Sequence, residues 1–415
     1  MREMKDSGIE WIGDIPVSWK IMPNKYLMRK EKKICPVYHG EDILSLTMKG
    51  VIVRDLDAGG KMPTSFDGYQ RLEAGNLLMC LFDIDVTPRC VGLIKQAGVS
   101  SPAYSQFVLR KGADAAYYCY YYTMLDNDKT LLHLAKNLRY SLTEDQLGAI
   151  PVIVPPIEEQ QRIADFLDTK CAEIDALTAD IQTQIDTLEQ YKRSVITETV
   201  TKGLNPDAEM KDSGIEWVGK MPLAWDAVPN KYLMYKVKNI CPVYNGEDIL
   251  SLTTNGVIIR DLNGGGKMPT SFDGYQKVTP GNLLMCLFDI DVTPRCIGLV
   301  KNFGLTSPAY SQFVMRTGAY APYYYYYYLM VDYTKELLHM AKNLRHSLTE
   351  DQLGAIKAPN PPYEEQVQIA EFLDKKCVEI NLVIEDKNRQ FAMLDEYKKS
   401  LIFEYVTGKK EVPTS

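Results

Sequence analysis

The chain is a tandem duplication, and this feature constrains its fold more than any other. Residues 4–11 (MKDSGIEW) return at 210–217, an offset of 206. The same offset relates Cys35 to Cys241 and continues without insertion or deletion. Solenoid repeats are only roughly 20–50 residues long, so each copy here is a domain-sized unit. Two near-identical units in one chain predict a target that is itself repeated or two-fold symmetric.

The composition is that of an ordinary globular protein. The sequence contains no apolar run of about 18 residues, so no membrane-spanning helix is expected. The first residues, MREMKD, lead into a mixed segment without the apolar core of a secretion signal, which predicts a cytoplasmic protein. The nine cysteines are scattered and often lie inside apolar runs. They predict buried free thiols in a reducing compartment rather than disulfides or a zinc site.

The formal net charge of −7 argues at first against a nucleic-acid partner, but the charge is unevenly distributed. Residues 20–150 carry 17 Lys and Arg against 14 Asp and Glu, whereas residues 156–202 carry 5 against 10. The acidity is concentrated in one kind of segment, and the rest of each copy is mildly basic. The net charge of the whole chain is therefore a poor guide to what its globular parts bind.

Each copy begins with a region that mixes short β-like runs with turn signals. Residues 42–47, 50–54 and 76–82 are rich in apolar and β-branched side chains and are separated by Gly, Asp and Pro, which predicts strands. Residues 130–136 (TLLHLAK) predict a helix. The combination indicates an α/β or α+β globular domain rather than a pure β-sandwich.

Each copy ends with a segment of helical periodicity that follows Pro155-Pro156 or Pro361-Pro362. In the first copy, apolar residues recur every seven positions at Leu167, Ile174, Ile181, Leu188 and Val195, flanked by Ile163, Leu177 and Tyr191. The second copy keeps this register at Leu373, Ile380, Leu394 and Leu401, while Lys387 interrupts it and Ile384 and Phe391 partly replace it. Such a seam predicts a long coiled-coil helix; the alternative is a helix packed on its own domain.

Catalytic motifs are weak in this sequence. Asn360-Pro361-Pro362-Tyr363 matches the short motif with which amino-methyltransferases hold a flipped adenine, but the first copy has Val154-Pro155-Pro156-Ile157 instead. A Pro-Pro helix start explains the same residues. No glycine-rich turn suitable for S-adenosylmethionine and no Ser/His/Asp or Cys/His arrangement stands out. We therefore expect a non-catalytic chain without a cofactor.

Two further motifs suggest a bound phosphate or metal without meeting its requirements. Asn263-Gly264-Gly265-Gly266-Lys267 lacks the spacing of a phosphate-binding loop and favours a flexible loop that presents a lysine. The pairs Asp83/Asp85 and Asp289/Asp291 lack a third carboxylate in register, so we expect no metal. The tyrosine runs at 117–122 and 323–328 resemble base-stacking platforms, but a run of six cannot all face one partner.

The remaining candidates are polar and basic residues in loops, of the types that contact base edges or phosphates. Each has an identical equivalent in the other copy, although singly each is also an ordinary surface residue. In the first copy they are Thr47, Arg54, Lys61, Ser65, Tyr69, Gln70, Arg89, Ser101, Tyr104, Gln106, Asn137 and Arg139. In the second they are Thr253, Arg260, Lys267, Ser271, Tyr275, Gln276, Arg295, Ser307, Tyr310, Gln312, Asn343 and Arg345.

One group of segments carries a family resemblance. The segments in the first copy are residues 137–142 (NLRYSL), 150–152 (IPV), 155–160 (PPIEEQ) and 163–168 (IADFLD), together with Ser101-Pro102-Ala103-Tyr104. Their repeats in the second copy are residues 343–348, 361–366 (PPYEEQ) and 369–374 (IAEFLD). In this order, over the whole chain, they resemble the specificity (S, HsdS-type) subunits of type I restriction–modification systems.

The resemblance implies two target recognition domains and two long helices that pack as an antiparallel coiled coil with pseudo-two-fold symmetry. The expected boundaries are 1–154 for the first recognition domain, 155–203 for the central helix, 204–360 for the second recognition domain and 361–410 for the distal helix. Subunits of this family carry no catalytic residues and read double-stranded DNA as two half-sites separated by an unspecific spacer. They recruit two methyltransferase subunits and, in the full complex, restriction subunits.

The chain departs from the usual family member because its two recognition domains are nearly identical. The expected function is therefore sequence-specific recognition of a bipartite, near-palindromic DNA target. The alternatives are a DNA amino-methyltransferase that uses residues 360–363, and a coiled-coil scaffold whose globular domains bind protein.

Overall fold

The structure is a computed structural model that describes residues 2–57, 63–135, 140–264, 269–341 and 346–413. The chain forms two compact units. Unit 1 comprises Met1–Gln182 and Arg389–Ser415, and unit 2 comprises Thr183–Asn388. Each unit therefore contains one globular domain and part of each long helix.

The strands of unit 1 are β1 (Met4–Asp6), β2 (Asp14–Pro16), β3 (Lys20–Pro23), β4 (Met28–Glu31), β5 (Leu44–Thr47), β6 (Gly50–Val53), β7 (Gln70–Leu72), β8 (Leu77–Met79), β9 (Val91–Leu93), β10 (Gly98–Ser100), β11 (Ser105–Leu109) and β12 (Pro151–Val154). Its short helices are α1 (Ala115–Asn127), α2 (Thr130–Leu134) and α3 (Glu144–Ala149), with a 3-10 turn at Asn24–Tyr26. The long helix α4 (Ile157–Lys202) contributes residues to both units.

Unit 2 repeats this order of elements. Its strands are β13 (Met210–Asp212), β14 (Lys220–Pro222), β15 (Asp226–Pro229), β16 (Met234–Val237), β17 (Leu250–Thr253), β18 (Gly256–Ile259), β19 (Gln276–Val278), β20 (Leu283–Met285), β21 (Ile297–Leu299), β22 (Gly304–Thr306), β23 (Ser311–Met315) and β24 (Lys357–Asn360). Its helices are α5 (Ala321–Tyr333) and α6 (Glu350–Ala355), with 3-10 turns at Asn230–Tyr232 and Glu336–Met340. The second long helix is α7 (Tyr363–Val406).

Each domain is built on a four-stranded antiparallel sheet, in the order β4-β11-β8-β9 in unit 1 and β16-β23-β20-β21 in unit 2. All three residues of β8 are buried, as expected for a strand with both faces covered. The hairpin β5–β6 packs closely on this sheet through Gly92 of β9. A Cβ atom at Gly92 would lie 2.8 Å from side-chain atoms of Leu46 and Val51. Glycine is therefore what allows the hairpin to sit there.

The tyrosine runs form the centre of the domain cores. Tyr117, Tyr118, Tyr121 and Tyr122 of α1 are fully buried. Helix α1 begins at Ala115 because the Asp114 carboxylate accepts a hydrogen bond from the Tyr117 backbone N–H at 2.8 Å. At helical spacing these four tyrosines share one side of α1, so the run supplies core rather than a base-stacking surface.

The long helices begin at a firmly held joint. Helix α4 starts directly after Pro155-Pro156, and the Trp19 indole N–H donates to the Glu159 carboxylate at 2.9 Å. The buried Gln160 amide donates to the carbonyl oxygens of Pro155 and Gly112 and accepts from the Asp114 backbone N–H. The equivalent side chains in unit 2 make the same contacts. The Pro-Pro-x-Glu-Glu-Gln signature therefore fixes the helix to its domain.

Within each unit the two helical segments run antiparallel. In unit 1, the ring of Phe166 lies 4.4 Å from that of Tyr405, and nine residues further along α4 the Asp175 carboxylate meets Lys398 at 2.5 Å. Because the residue number rises on α4 while it falls on α7, the segments have opposite directions. In unit 2, Lys192 donates to the Asn381 side chain at 3.0 Å, and a Cβ atom at Gly203 would lie 2.9 Å from a carboxylate oxygen of Glu365, so these segments also have opposite directions.

The predicted apolar seam is confirmed over most of its length. Leu167, Ile174, Ile181, Leu373 and Ile380 are buried, whereas Leu188, Val195 and Leu394 are half-buried. Two residues predicted to flank the seam lie on the solvent side instead: Leu177 is 54% exposed and Tyr191 is 52% exposed. The helix is both part of the apolar seam and packed on its own domain, because Ile163 and Leu167 belong to the same core as the α1 tyrosines.

The mixed α/β fold with two tandem domains and two long helices is confirmed. The four boundaries given above stay a prediction. Seven of the nine cysteines are buried, as expected, and all nine are free. Within the described residues, no helix is long and apolar enough to cross a bilayer.

Candidate nucleic-acid interface

A cleft of about 470 Å³ in unit 2 brings several of the predicted residues together. The hairpin β17–β18 contributes residues 252–254, the loop after β20 contributes Cys286, Phe288 and residues 292–295, and Tyr310 completes the lining. Thr253, Arg295 and Tyr310 were all candidates from the sequence. We call this feature, and the equivalent residues of unit 1, the recognition cleft.

The loop that forms one wall of the recognition cleft is held by its own hydrogen bonds. Asp289 adopts a positive φ of 47°, and its carbonyl accepts from the Thr293 backbone N–H at 2.9 Å. The Thr293 hydroxyl and the Cys286 thiol both donate to the Phe288 carbonyl, at 3.4 and 3.3 Å. Asp289 and its equivalent Asp83 therefore shape a tight turn in these two loops.

The arginine of the recognition cleft is largely buried and paired. The Arg89 guanidinium lies 3.6 Å from the Asp126 carboxylate and donates to the Asn127 side-chain oxygen at 3.1 Å. In unit 2, Arg295 lies 3.8 Å from Asp332, and its guanidinium sits 5.6 Å from the centre of the Tyr333 ring. These pairings hold both guanidinium groups in place, which is the preorganisation that a base or phosphate contact requires.

The tyrosine of the recognition cleft stacks on the phenylalanine of the loop. The rings of Tyr104 and Phe82 are nearly parallel, at a centroid distance of 6.3 Å. The Gln70 amide fixes the segment by donating to the carbonyl oxygens of Ser101 and Tyr104, at 2.9 and 2.8 Å. Burial raises the pKa of the Tyr104 hydroxyl, while the nearby positive charge of Arg54 acts in the opposite direction. Tyr104 therefore remains a neutral hydrogen-bonding group at physiological pH.

The hairpin turn is stabilised by the threonine at its end. The Thr47 hydroxyl donates to the Gly50 carbonyl at 3.0 Å and accepts from the Lys49 backbone N–H at 3.1 Å. Gly50 has a positive φ of 89°, which glycine adopts readily. The turn thus presents Met48 and Lys49 to solvent at the mouth of the recognition cleft.

The structure separates the predicted residues into four groups. Thr47, Arg54, Arg89 and Tyr104, with Thr253, Arg260, Arg295 and Tyr310, lie at or beside the recognition cleft. Gln70, Gln106, Gln276 and Gln312 are buried, and their amides bond to the backbone of their own domain. Ser65, Ser101, Ser271 and Ser307 accept backbone N–H bonds in local turns, and Tyr69 and Tyr275 pack on Phe66 and Phe272. Lys61, Asn137, Arg139, Lys267, Asn343 and Arg345 lie outside the described residues.

The apolar part of the recognition cleft was not predicted from the sequence. Phe82 stacks on Tyr104, and Val86 is 72% exposed on the same loop. Only polar residues were considered as contacts, although an exposed valine beside a tyrosine can contact a thymine methyl group. The available signal was the position of Phe82 and Val86 on either side of the polar Asp-Ile-Asp turn.

The catalytic alternatives find structural explanations. Asn360 ends strand β24, and its side-chain oxygen accepts hydrogen bonds from the Tyr324 hydroxyl at 2.8 Å and from the Gln366 amide at 3.2 Å. The Asn-Pro-Pro-Tyr segment is thus part of the joint at the start of α7. Asp291 meets the imidazole of His346 at 2.9 Å, a neighbour that the sequence did not predict. Over the described ranges, no group of three His, Cys, Asp or Glu could hold a metal.

Comparisons with known proteins agree with this organisation. Residues 91–187 match the model of the Type I restriction modification DNA specificity domain. The type I restriction enzyme MjaVIII specificity subunit of Methanocaldococcus jannaschii is 26% identical over 284 residues, which cover 63% of each chain. The putative type I restriction enzyme MjaX specificity subunit of the same organism is 25% identical over 295 residues, which cover 66% of this chain and 62% of the relative. The chain thus spans less than two thirds of the length of these curated relatives.

A solved structure supports the fold. One chain from work on complex assembly and conformational transition of the type I R-M system superimposes with a TM-score of 0.70. The alignment covers 95% of this chain and 99% of the other, at 12% sequence identity. This likeness shows the fold, and the matched specificity domain and the two curated relatives show that the chain is similar to specificity subunits of type I restriction–modification systems.

Proposed function

We propose that this chain supplies DNA sequence recognition to a type I restriction–modification complex in the cytoplasm. It directs methyltransferase and restriction subunits to a bipartite, near-palindromic double-stranded DNA target. The single observation that carries the proposal is the duplicated recognition cleft. In both units the same arginine, tyrosine and threonine occur, held by the same kinds of internal bonds.

The DNA contacts that we propose are fewer than the sequence suggested. The four buried glutamines act as positioning residues, because their amides are already used inside the domain. Arg54, Arg89 and Tyr104, with their equivalents, are the candidates that remain at the recognition cleft. Guanidinium groups can bind guanine bidentately, and a tyrosine can stack or hydrogen-bond. The loop residues outside the described ranges stay candidates for phosphate contacts.

The target follows from the similarity of the two domains. If residues 1–154 and 204–360 act as recognition domains, and the helices at 155–203 and 361–410 relate them by a pseudo-two-fold axis, both domains meet the duplex in equivalent orientations. We expect two similar half-sites in inverted orientation, separated by a spacer. The nearly identical candidate contacts favour this over the two dissimilar half-sites of an ordinary family member.

The chain acts without catalytic residues of its own in this proposal. The methyltransferase alternative required Asn360, whose side-chain oxygen is occupied by Tyr324 and Gln366. S-adenosylmethionine is therefore brought by two partner methyltransferase subunits. Purified chain alone should neither methylate nor cleave DNA and should not hydrolyse ATP. Turnover by the highly purified chain would contradict this.

The long helices are the proposed docking surface for these partners. Outside its apolar seam α4 carries an excess of acidic side chains, among them the exposed Glu173, which pairs with Lys170 of its own helix at 2.7 Å. Glu173→Lys should weaken association with the methyltransferase subunit more than it lowers the melting temperature, and Asp180→Lys and Asp186→Lys extend the test. Undiminished association for all three variants, measured by titration calorimetry, would rule out this surface.

The experiment that tests the main proposal is co-expression of the chain with cognate methyltransferase subunits, followed by sequencing of the methylated positions. We expect an interrupted palindrome. The purified complex should also bind this sequence in a salt-sensitive manner, because phosphate contacts release counterions. A scaffold that binds only protein would give no sequence-selective binding. Two unrelated half-sites, or one half-site in direct repeat, would overturn the argument from symmetry.

A further inference from the structure

The two recognition clefts differ in composition at a single position. Ten residues line the cleft in unit 2, and nine of them have an identical equivalent in unit 1. The exception is Thr254, whose equivalent is Met48. Both residues occupy the turn of the hairpin, directly after the last residue of β5 or β17.

Apart from the neighbours of the cleft arginine, the rest of the lining is held in the same way in both units. The stacked rings lie 6.3 Å apart in unit 1 and 6.4 Å apart in unit 2. The threonine hydroxyl that stabilises the hairpin turn donates to a glycine carbonyl at 3.0 Å in both. The wall loop closes with the same 2.9 Å backbone hydrogen bond, from Thr87 to Asp83 and from Thr293 to Asp289. The frame is therefore constant, and the side chain at this one position changes.

The two side chains offer different chemistry to a ligand. Thr254 is exposed, and its hydroxyl has no hydrogen-bond partner among the described residues. The neighbouring polar side chains Thr253 and Thr293 are both bonded within the domain. Met48 is 60% exposed and has no hydrogen-bond donor. A threonine hydroxyl can bond to several base edges, whereas a methionine side chain offers apolar contact, which suits a thymine methyl group.

The geometry points to position 48/254 as the residue that makes the two half-sites differ. This inference rests on the proposed function and names the specificity determinant of that same site. The half-site bound by unit 1 has an A·T pair where Met48 meets the major groove. The half-site bound by unit 2 has a base pair that accepts a hydrogen bond from the Thr254 hydroxyl or donates one to it. All other positions of the two half-sites agree.

The test uses the full chain in complex with its methyltransferase subunits. Met48→Thr converts the recognition cleft of unit 1 to that of unit 2, and Thr254→Met makes the reverse change. Sequencing of methylated positions should find wild-type half-sites that differ at one base pair. Each variant should recognise a fully symmetric target. Methylation of targets that keep the original base pair in the altered half-site should fall on the order of tenfold to a hundredfold. Both side chains already occupy this turn in one of the two units, so both variants should fold.

A matched control comes from another difference between the copies. His39 corresponds to Asn245, and neither residue lines the cleft. His39→Asn should leave the recognised sequence unchanged. Identical half-sites in the wild type, or half-sites that differ but do not respond to Met48→Thr, would overturn this inference while leaving the proposed function intact. Two unrelated half-sites would instead remove the near-palindromic target from the proposed function, and a complex without sequence-selective DNA binding would remove the proposed function itself.

Discussion

Units 1 and 2 share one scaffold and differ around their recognition clefts. The joint between domain and helix is the same in both, with a tryptophan indole bonded to a glutamate at 2.9 Å. Around the cleft arginine the neighbours change, from Asn127 in unit 1 to Tyr333 in unit 2. Beside the wall loop, Tyr140 of unit 1 is replaced by His346. The comparison teaches that the contacts that hold the fold are kept in both units, whereas the residues that surround the proposed DNA contacts have changed.

The largest expected effect tests whether the scaffolds are equivalent. Ile174→Asp and its equivalent Ile380→Asp place a charge at seam positions that are only 5% and 6% exposed. Each should lower the free energy of unfolding by roughly 3 kcal/mol or more, because an unpaired charge is buried. Leu177→Asp, at an exposed position on the same helix, is the control and should cost less than about 0.5 kcal/mol. Chemical denaturation measures all three, and strongly unequal effects of the first two would break the comparison.

Substitutions in the joint should cause a smaller and nearly equal loss of folding stability in both units. Gln160→Leu and Gln366→Leu remove a buried amide and leave backbone groups such as the Asp114 and Tyr320 N–H without a partner. A loss of about 1–3 kcal/mol is expected for each. Gln366 also bonds to Asn360, so its replacement should cost slightly more. Melting temperatures of the two variants provide the measurement, and an unchanged value for either would contradict the role given to the signature glutamine.

The recognition cleft should respond in one half-site at a time. Arg89→Ala should relax the sequence preference of the half-site bound by unit 1 only, and Arg295→Ala that of the other half-site. The expected loss is roughly 1–3 kcal/mol per bidentate contact. Binding to DNA duplexes that carry a substitution in either half-site measures the effect. Equal relaxation of both half-sites by one variant would show that the two domains do not act separately.

The smallest effect concerns the change from tyrosine to histidine beside the wall loop. The hydrogen bond from the His346 imidazole holds the pKa of Asp291 below its ordinary value of 3.8. A carboxyl group with a lowered pKa stabilises the fold at pH values above its ordinary pKa. This contribution disappears as the pH falls through the lowered pKa. His346→Tyr should bring the pKa of Asp291 back towards 3.8. Carboxyl carbon shifts followed by NMR titration would measure this, and an unchanged midpoint would contradict it.

The sequence predicted the features that repeat with a simple period. The 206-residue offset, the strand at Gly50–Val53 and the buried seam at Leu167 and Ile174 all follow from local pattern. The seam was less predictable at its edges, where Leu177 and Tyr191 are exposed because no neighbouring segment covers them. Apolar character alone does not decide which side of a helix is covered.

The site was harder to predict because burial depends on distant residues. Gln106 looked like a base-contacting residue, yet its side-chain oxygen accepts from the Glu73 backbone N–H and its amide donates to the Arg71 carbonyl. Those partners lie more than 30 positions away in the chain, so no local pattern reveals them. The reverse error affected Phe82, an apolar residue at the end of a strand-like run that lies at the recognition cleft.

The hydroxyl of Tyr117 donates to the Val406 carbonyl at 2.8 Å, whereas its equivalent Tyr323 donates to the Val200 carbonyl at 3.0 Å. During synthesis on the ribosome, the hydrogen-bond partner of Tyr117 is therefore made after its own domain, whereas the partner of Tyr323 is made before its own domain. When unit 2 emerges, residue 200 has already been made. Unit 1 must wait for residues 401–406, which appear only after all of unit 2 has been translated. The first domain to be synthesised is thus the last to be completed, and until then the apolar surface that residues 401–406 will cover stays uncovered.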